Sequence, residues 1–317
     1  MPLRRLALLL PLLALLTAAP AQARRVALGI GEQQPGMFTD PYWTELGIPH
    51  ARFLTQWDAL KHKRERGLLD AWVEAGRAAG AQMTISFTHS HRARRDPREF
   101  PTRQQFRDAF AAFRERYPDV RDWIVWNEAN HPSSLSAHRP RKVAMLFDVA
   151  SHACPRCRIV GADVLDISGM EHWIHKFTRA VHVRPRYWGL HNYVDAQHGG
   201  SAGTRRLLAV TRGKVWFTET GGWILRRKYQ KGRVLSELRS SPRHQKQATR
   251  HALQLACITR RVQRVYLYNW QAPFVPTTWD SGLIGPRGMP RPAYDFLLRK
   301  VRAAGAPVIR CRGGRLL

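Results

Sequence analysis

Two glutamates stand where stretches of buried-strand character stop. Arg121-Asp122-Trp123-Ile124-Val125-Trp126-Asn127-Glu128-Ala129-Asn130 runs through aromatic and β-branched residues into Asn127 and Glu128. It then enters a loop, His131-Pro132-Ser133-Ser134. A carboxylate at such a junction is costly unless it has a partner or a task. Val215-Trp216-Phe217-Thr218-Glu219-Thr220-Gly221-Gly222 repeats the plan, with an apolar strand, a terminal glutamate and a glycine turn. Two strand-ending carboxylates far apart in sequence suit a two-carboxylate hydrolase. One must donate a proton while the other stays ionised.

The elements that must position them follow from periodicity. Strand signals fall at 26–31, 51–57, 82–89, 122–128, 158–164, 187–193, 215–220 and 264–270, eight in all. Helical stretches alternate with them at 68–79, 104–117, 142–153, 243–261 and 292–304. In the second of these, Phe106, Phe110 and Phe113 recur at the spacing of a core-facing stripe. Between strands one and two, 42–46 offers only a short helical turn. Gly199-Gly200-Ser201-Ala202-Gly203 reads as a flexible loop. Alternation of this kind predicts βα units around a parallel sheet. Eight strands in this length predict a (β/α)8 TIM barrel, class α/β, as a single domain over 24–317. A doubly wound sheet is the main alternative, but Gly29-Ile30-Gly31-Glu32 lacks the third glycine of a dinucleotide loop.

Residues 1–23 are set apart from the fold. A basic start, an apolar run from Leu6 to Leu16 and the small-x-small Ala21-Gln22-Ala23 read as a signal peptide cleaved after Ala23. An uncleaved anchor is the alternative. No other apolar run approaches membrane-spanning length. The expected location is therefore secreted or cell-surface associated. Four cysteines in an exported chain suggest disulfides. Cys154-Pro155-Arg156-Cys157 lacks the second close pair of a zinc ribbon, so the expected bridges are 154–157 and 257–311.

The chain has 317 residues and a net charge of +29, from 52 basic and 23 acidic residues. Only nine of the basic residues are lysine. Such a charge attracts polyanions, so an acidic polysaccharide or an anionic cell surface is one candidate partner. Arginine-rich composition spread over a solvated surface is the other reading. Basic blocks interleaved with aromatics and nucleic-acid motifs are both missing, so no nucleic-acid partner is expected.

Barrel sites form at the carboxyl ends of the strands. Those ends offer Trp57 and Asp58, then His89 and His91, Asn127 and Glu128, Asp163, His191, Asn192 and Tyr193, Glu219, and finally Asn269 and Trp270. At this point the sequence resembles clan A of the retaining glycoside hydrolases, with families 39 and 5 nearest. Trp126-Asn127-Glu128-Ala129-Asn130 is similar to that clan's Trp-Asn-Glu-Pro-Asn signature, with Ala129 in place of proline and a less rigid loop start expected. Gly47-Ile48-Pro49-His50-Ala51-Arg52 followed by Trp57 resembles its strand-two pattern, His191-Asn192-Tyr193 its His-x-Tyr, and Trp270 its strand-eight tryptophan. Asp280-Ser281-Gly282-Leu283 and Arg291-Pro292-Ala293-Tyr294 resemble the run into its last helix.

The resemblance implies a (β/α)8 fold, Glu128 as general acid/base and Glu219 as nucleophile. Glu128 would need a raised pKa, helped by water exclusion at Trp126. Arg52 and Tyr193 would keep Glu219 ionised. Asn127 would bond a sugar 2-hydroxyl. Substrate contacts are expected from Arg52, Trp57, His89, Trp126, Asn127, His191, Tyr193 and Trp270. Trp57 and Trp223 either stack on sugars or cover the barrel mouth. The expected activity is a secreted O-glycosyl hydrolase that acts as a monomer on a poly- or oligosaccharide by double displacement, without a cofactor. A carbohydrate-binding barrel without turnover is a second class. A metal-dependent hydrolase is a third, built on His89 and His91 with Asp163 or His191 as a further ligand.

Overall fold

The computed structural model describes residues 23–90, 100–230, 233–274 and 278–317. The signal segment and His91 lie outside the described residues. Eight parallel strands close into a barrel. They are β1 (Arg24–Gly31), β2 (His50–Gln56), β3 (Gln82–Thr88), β4 (Asp122–Ile124), β5 (Arg158–Leu165), β6 (Tyr187–His191), β7 (Lys214–Thr220) and, after an inserted hairpin, β10 (Val262–Tyr268). Each pairs with the next, and β10 returns to β1 over Ala27–Gly31. The (β/α)8 expectation holds.

Among the described residues the helices are α1 (Pro41–Leu46), α2 (Lys63–Ala78), α3 (Arg103–Arg116), α4 (Pro140–Ala153), α5 (Met170–Thr178), α6 (Tyr193–His198), α7 (Ala202–Val210), α8 (Pro242–Cys257) and α9 (Pro292–Ala304). Local chemistry sets their ends. A Thr102–Gln105 capping box starts α3. Pro292 opens α9 and left-handed Gly305 closes it. The aromatic stripe of α3 buries against the outer barrel wall. Phe113 lies 4.8 Å from Phe87 edge-on, and Phe87 stacks on Trp123 at 5.7 Å. Burying each such side chain stabilises the fold by about 1.5–3 kcal/mol.

Three features depart from the sequence reading. The stretch 199–203 is not a loop throughout, because it caps α6 and opens α7. Gly203 sits in that first helical turn, where an added Cβ would stand 2.4 Å from Asp166 Cβ. Beyond β7 the chain forms a hairpin, β8 (Leu225–Gln230) and β9 (Arg233–Arg239), joined by β11 (Trp279–Asp280). At the far end β12 (Val308–Arg312) pairs antiparallel with β1, and β13 (Arg315–Leu316) with β12. Both expected disulfides form, Cys154–Cys157 and Cys257–Cys311. No described helix is long and apolar enough to cross a membrane.

The barrel interior is layered. Arg264, near the amino-terminal end of β10, bonds Asp122 at 2.6 Å and the Tyr266 hydroxyl at 2.7 Å. Its guanidinium lies 4.2 Å over the Trp216 ring. Ile124, Val160, Trp216 and Tyr266 form a small apolar plug. Toward the carboxyl ends, the interior becomes charged.

Candidate active site

Strand four is shorter than its sequence suggests. The ladder ends at Ile124, yet the chain beyond stays tied to both neighbours. Asn127 N–H donates to Phe87 C=O at 2.7 Å, and Ala129 N–H donates to Asp163 C=O at 2.8 Å. Between them Glu128 has φ 45°, a left-handed conformation uncommon for a non-glycine residue. Proline at this position would have no N–H to make that bond. Asn130 adds a two-bond clamp on Leu165, donating to its C=O at 3.0 Å and accepting its N–H at 2.8 Å.

Glu219 is turned inward by a register irregularity. In the β6–β7 ladder Gly189 faces Trp216, but His191 faces Glu219, so one extra residue is taken up on β7. A matching shift lies between β7 and β10. Such bulges re-aim side chains beside active sites. Gly189 is required at its own position, since a Cβ there would stand 2.3 Å from Asp163 Oδ1.

The two glutamates meet across the mouth. Carboxylate oxygens of Glu128 and Glu219, together with a His191 ring nitrogen, all lie within 4.8 Å of one another. Glu219 is held on both sides, by Arg52 Nη1 at 3.0 Å from Oε2 and by the Tyr193 hydroxyl at 3.2 Å from Oε1. Arg52 also donates to Asn127 Oδ1 at 2.5 Å and approaches Asp163 Oδ2 at 3.4 Å. His191 lies between two carboxylates, with Nδ1 3.1 Å from Glu128 Oε1 and Nε2 3.0 Å from Asp163 Oδ2. Thr218 Oγ donates to the other oxygen of Asp163.

This network decides the charges. Burial opposes the charged form of Arg52, but Glu219 and Asp163 outweigh it and hold the guanidinium charged. Burial would likewise lower the His191 pKa. The charges of Asp163 and Glu219 and the bonds to Asp163 and Glu128 raise it instead, to about 10. Burial would raise the Glu128 pKa, but the bond and charge of His191 bring it below the usual carboxylate range. The raised pKa expected for Glu128 is therefore corrected, because the hydrogen bond and charge of His191 outweigh burial. Asp163 is lowered in the same way, with Arg52 and Thr218 assisting against burial. Tyr193 is raised well above a normal phenol, first by burial and then by the Glu219 charge.

A cleft of about 440 Å³ opens beside Glu128, lined by Gln56, Thr88, His89, Asn127 and His131 among others. Trp57 faces a smaller neighbouring pocket of about 240 Å³ with Asp58, Lys61 and His62. The expected substrate contacts therefore divide. Asn127 and His89 reach the cleft, and Tyr193 reaches Glu219. Arg52, His191, Trp126 and Trp270 are buried. Arg52 and His191 are occupied with carboxylates. Trp126 stacks on Phe100 at 4.5 Å. Trp270 packs edge-on against Trp43, with its indole N–H donating to Asp40 at 2.9 Å.

Several residues of the site were missed. Tyr268, two residues past Tyr266 on β10, has its phenol pKa raised by burial and then by the nearby Glu219 charge. Trp279 lies edge-on to Tyr193 at 5.0 Å and 6.3 Å from Trp223, but it arrives on β11, which carried no strand signal. Glu32, at the end of β1, accepts the N–H groups of Trp270 and Gln271, each at 3.2 Å, and so fixes the chain after β10.

Glu128, His191 and Glu219 are the described side chains that gather at metal-ligand spacing, and they differ from the His89-centred set considered above. Both ring nitrogens of His191 already face carboxylates, and Arg52 brings a cation to Glu219. A metal ion would have to displace these bonds, so the residues do not fit one.

No protein-family profile matches the chain, and no curated protein matches it in sequence. Solved structures do match. A family 39 glycoside hydrolase from the gut symbiont Bacteroides cellulosilyticus has TM-score 0.59 and 14% identity, over 92% of this chain and 69% of that one. A GH5_18 protein from Streptomyces cattleya, in complex with Manβ1-4GlcNAc, has TM-score 0.59 and 16% identity, over 88% and 81%. A GH128 endo-β-1,3-glucanase from Amycolatopsis mediterranei has TM-score 0.56 and 12% identity, over 86% and 98%. The chain has the fold of these proteins. At the level of fold, the resemblance to the (β/α)8 glycoside hydrolases of clan A holds.

Proposed function

We propose that the protein is a retaining glycoside hydrolase, acting outside the cell on a poly- or oligosaccharide. The observation that carries this reading is the approach of Glu128 and Glu219 oxygens within 4.8 Å across the barrel mouth. Retaining enzymes place their carboxyls roughly 5–5.5 Å apart, and inverting ones roughly 6.5–9.5 Å to admit a water. Glu219 is the nucleophile. Its oxygens are fixed by Arg52 and Tyr193, so little reorganisation precedes attack on the anomeric carbon. Glu128, on the cleft side, serves the leaving oxygen and then activates water. Asn127 is oriented by Arg52 toward the sugar, and His89 supplies a further polar contact. Trp223 and Trp279 stand beside Tyr193 as an aromatic wall on which a sugar face can stack. The disulfides and the signal pattern support export.

A panel of aryl glycosides tests the reading. Glu219→Gln should abolish turnover and preserve the fold. Glu128→Ala should lose about 10²–10⁴-fold on a glycan with a poor leaving group and less on an activated aryl glycoside. Azide should restore rate in that variant and yield a glycosyl azide of retained configuration. Proton NMR of the first-formed sugar decides the stereochemistry, and an inverted product would remove Glu219 from the nucleophile role. Sugar binding without hydrolysis of any glycoside would instead support the carbohydrate-binding alternative.

A further inference from the structure

We propose that Asp163, a residue with no access to substrate, holds the working proton of the site on His191, so that Glu128 draws its acid proton from the imidazole rather than storing it. The transfer step rests on the glycosidase reading, whereas the protonation of His191 stands apart from it.

The geometry sets His191 between two carboxylates. Its side chain is fully buried, and a carboxylate oxygen lies within hydrogen-bond reach of each ring nitrogen. An ionised carboxylate only accepts, and a neutral imidazole donates from one nitrogen alone. One proton serves the Glu128 contact, either on Nδ1 facing a Glu128 carboxylate or on Glu128 facing a neutral ring, and the carboxylates of Asp163 at 3.0 Å from Nε2 and Glu219 at 3.8 Å from Nδ1 draw it to the ring as an imidazolium. The Asp163 side chain is fully buried too, so its charge acts at full strength on the ring. It is kept ionised by Arg52 and by the Thr218 hydroxyl. Space for it exists because Gly189 lacks a side chain.

The other charged or titratable groups around the ring come from every neighbouring strand. They are Glu128 after β4 and Glu219 on β7 at 3.8 Å from Nδ1, while Arg52 on β2 and the Tyr193 phenol bond Glu219 and the Tyr268 phenol feels the charges of Glu219 and Glu128. Against Arg52, the three carboxylates Glu128, Asp163 and Glu219 make a second cation favourable. The His191 pKa of about 10 agrees with that sum, although burial alone would push it down.

The proton balance follows. At rest Glu128 is a carboxylate and His191 carries two protons. As the glycosidic C–O bond breaks and the Glu219 oxygen bonds the anomeric carbon, the Nδ1 proton passes to Glu128 Oε1, and from Glu128 to the leaving oxygen. His191 is then neutral, with its Nε2 proton held by Asp163. In the second half, Glu128 takes a proton from water as water displaces Glu219, and that proton returns to Nδ1. Asp163 is thus a positioning residue, because it touches neither substrate nor the reacting atoms.

Nitrogen-15 NMR of the full chain, with His191→Gln identifying the resonance, tests the resting state directly. In the native protein at about pH 8 both ring nitrogens of His191 should carry protons, although an unperturbed histidine titrates near roughly 6.5. A neutral, single-N–H ring at that pH overturns the proposal, and this measurement needs no variant of Asp163 and no activity. Asp163→Asn should make the ring neutral under the same conditions. Its alkaline limb of kcat/KM on a glycan with a poor leaving group should move down by at least about one pH unit, a tenfold loss on that limb. On an activated aryl glycoside, which needs little acid, the shift should vanish. An unmoved alkaline limb in a folded Asp163→Asn enzyme overturns the relay. If no glycoside is cleaved even by the native protein, the functional reading fails while the NMR result still decides where the proton rests.

Discussion

Each oxygen of Glu219 has its own donor, a charged one from Arg52 and a neutral one from Tyr193. The charged bond keeps the nucleophile ionised, and the neutral one fixes its rotation. Tyr193→Phe should separate the two effects. The ring and its contact with Trp279 remain, and only the hydroxyl goes. A hydrogen bond to a charged group contributes about 1.5–3 kcal/mol, so kcat should fall roughly 10- to 100-fold. The unfolding midpoint should hardly change, because the lost bond ends in a carboxylate that is not fully buried. Steady-state kinetics beside a urea titration checks this. Unchanged kcat would mean that Arg52 alone positions Glu219.

The active-site turns are where local sequence and tertiary ties meet. The stretch from Val125 to Asn130 has few ladder bonds of its own, and it is held from β3 and β5 by the N–H groups of Asn127 and Ala129 and by the Asn130 side chain. Introducing the proline of the related signature should therefore harm this protein. Ala129→Pro deletes the bond to Asp163 C=O and leaves a buried acceptor short, at about 1–3 kcal/mol. Proline also pushes the preceding residue toward extended conformations, away from the left-handed backbone that Glu128 adopts. The expected result is a lower urea midpoint together with a marked loss of kcat/KM. Equal or better stability would show that the loop takes either geometry at no cost.

Across the whole molecule, the barrel closes through β1 and β10, and the carboxyl-terminal strands are fastened close to that seam. The Cys257–Cys311 bridge links the end of α8 to β12, which pairs with β1. It closes a loop with a sequence separation of 54, whereas Cys154–Cys157 spans 3. Loop-closure entropy assigns about 4 kcal/mol to the long bridge and about 2 kcal/mol to the short one. Cys257→Ser with Cys311→Ser should lower stability more than Cys154→Ser with Cys157→Ser, as read by chemical denaturation. The opposite order would place the stabilising effect in local packing around the short loop rather than in chain entropy.

Alternation of apolar strands with amphipathic helices determined the barrel, because period and length are local properties of the chain. The same pattern put Glu128 and Glu219 at strand ends, and an even cysteine count pointed to the two bridges. Hairpin β8–β9 escaped notice because its strand β9 is exposed along its length and carries no burial alternation. The resemblance placed Arg52 and Tyr193 at Glu219, and tertiary structure decided the rest of the site's electrostatics. His191 and Asp163 are 28 residues apart, and Arg52 and Glu219 are 167 apart. Each has an ordinary local context, and only barrel closure removes them from water together. The inward turn of Glu219 depends on a register shift shared with β6 and β10, which no pattern within β7 encodes. Where the proton rests between Glu128 and His191 was likewise set by distance and burial, since a pKa responds to charges in space and not to neighbours in sequence.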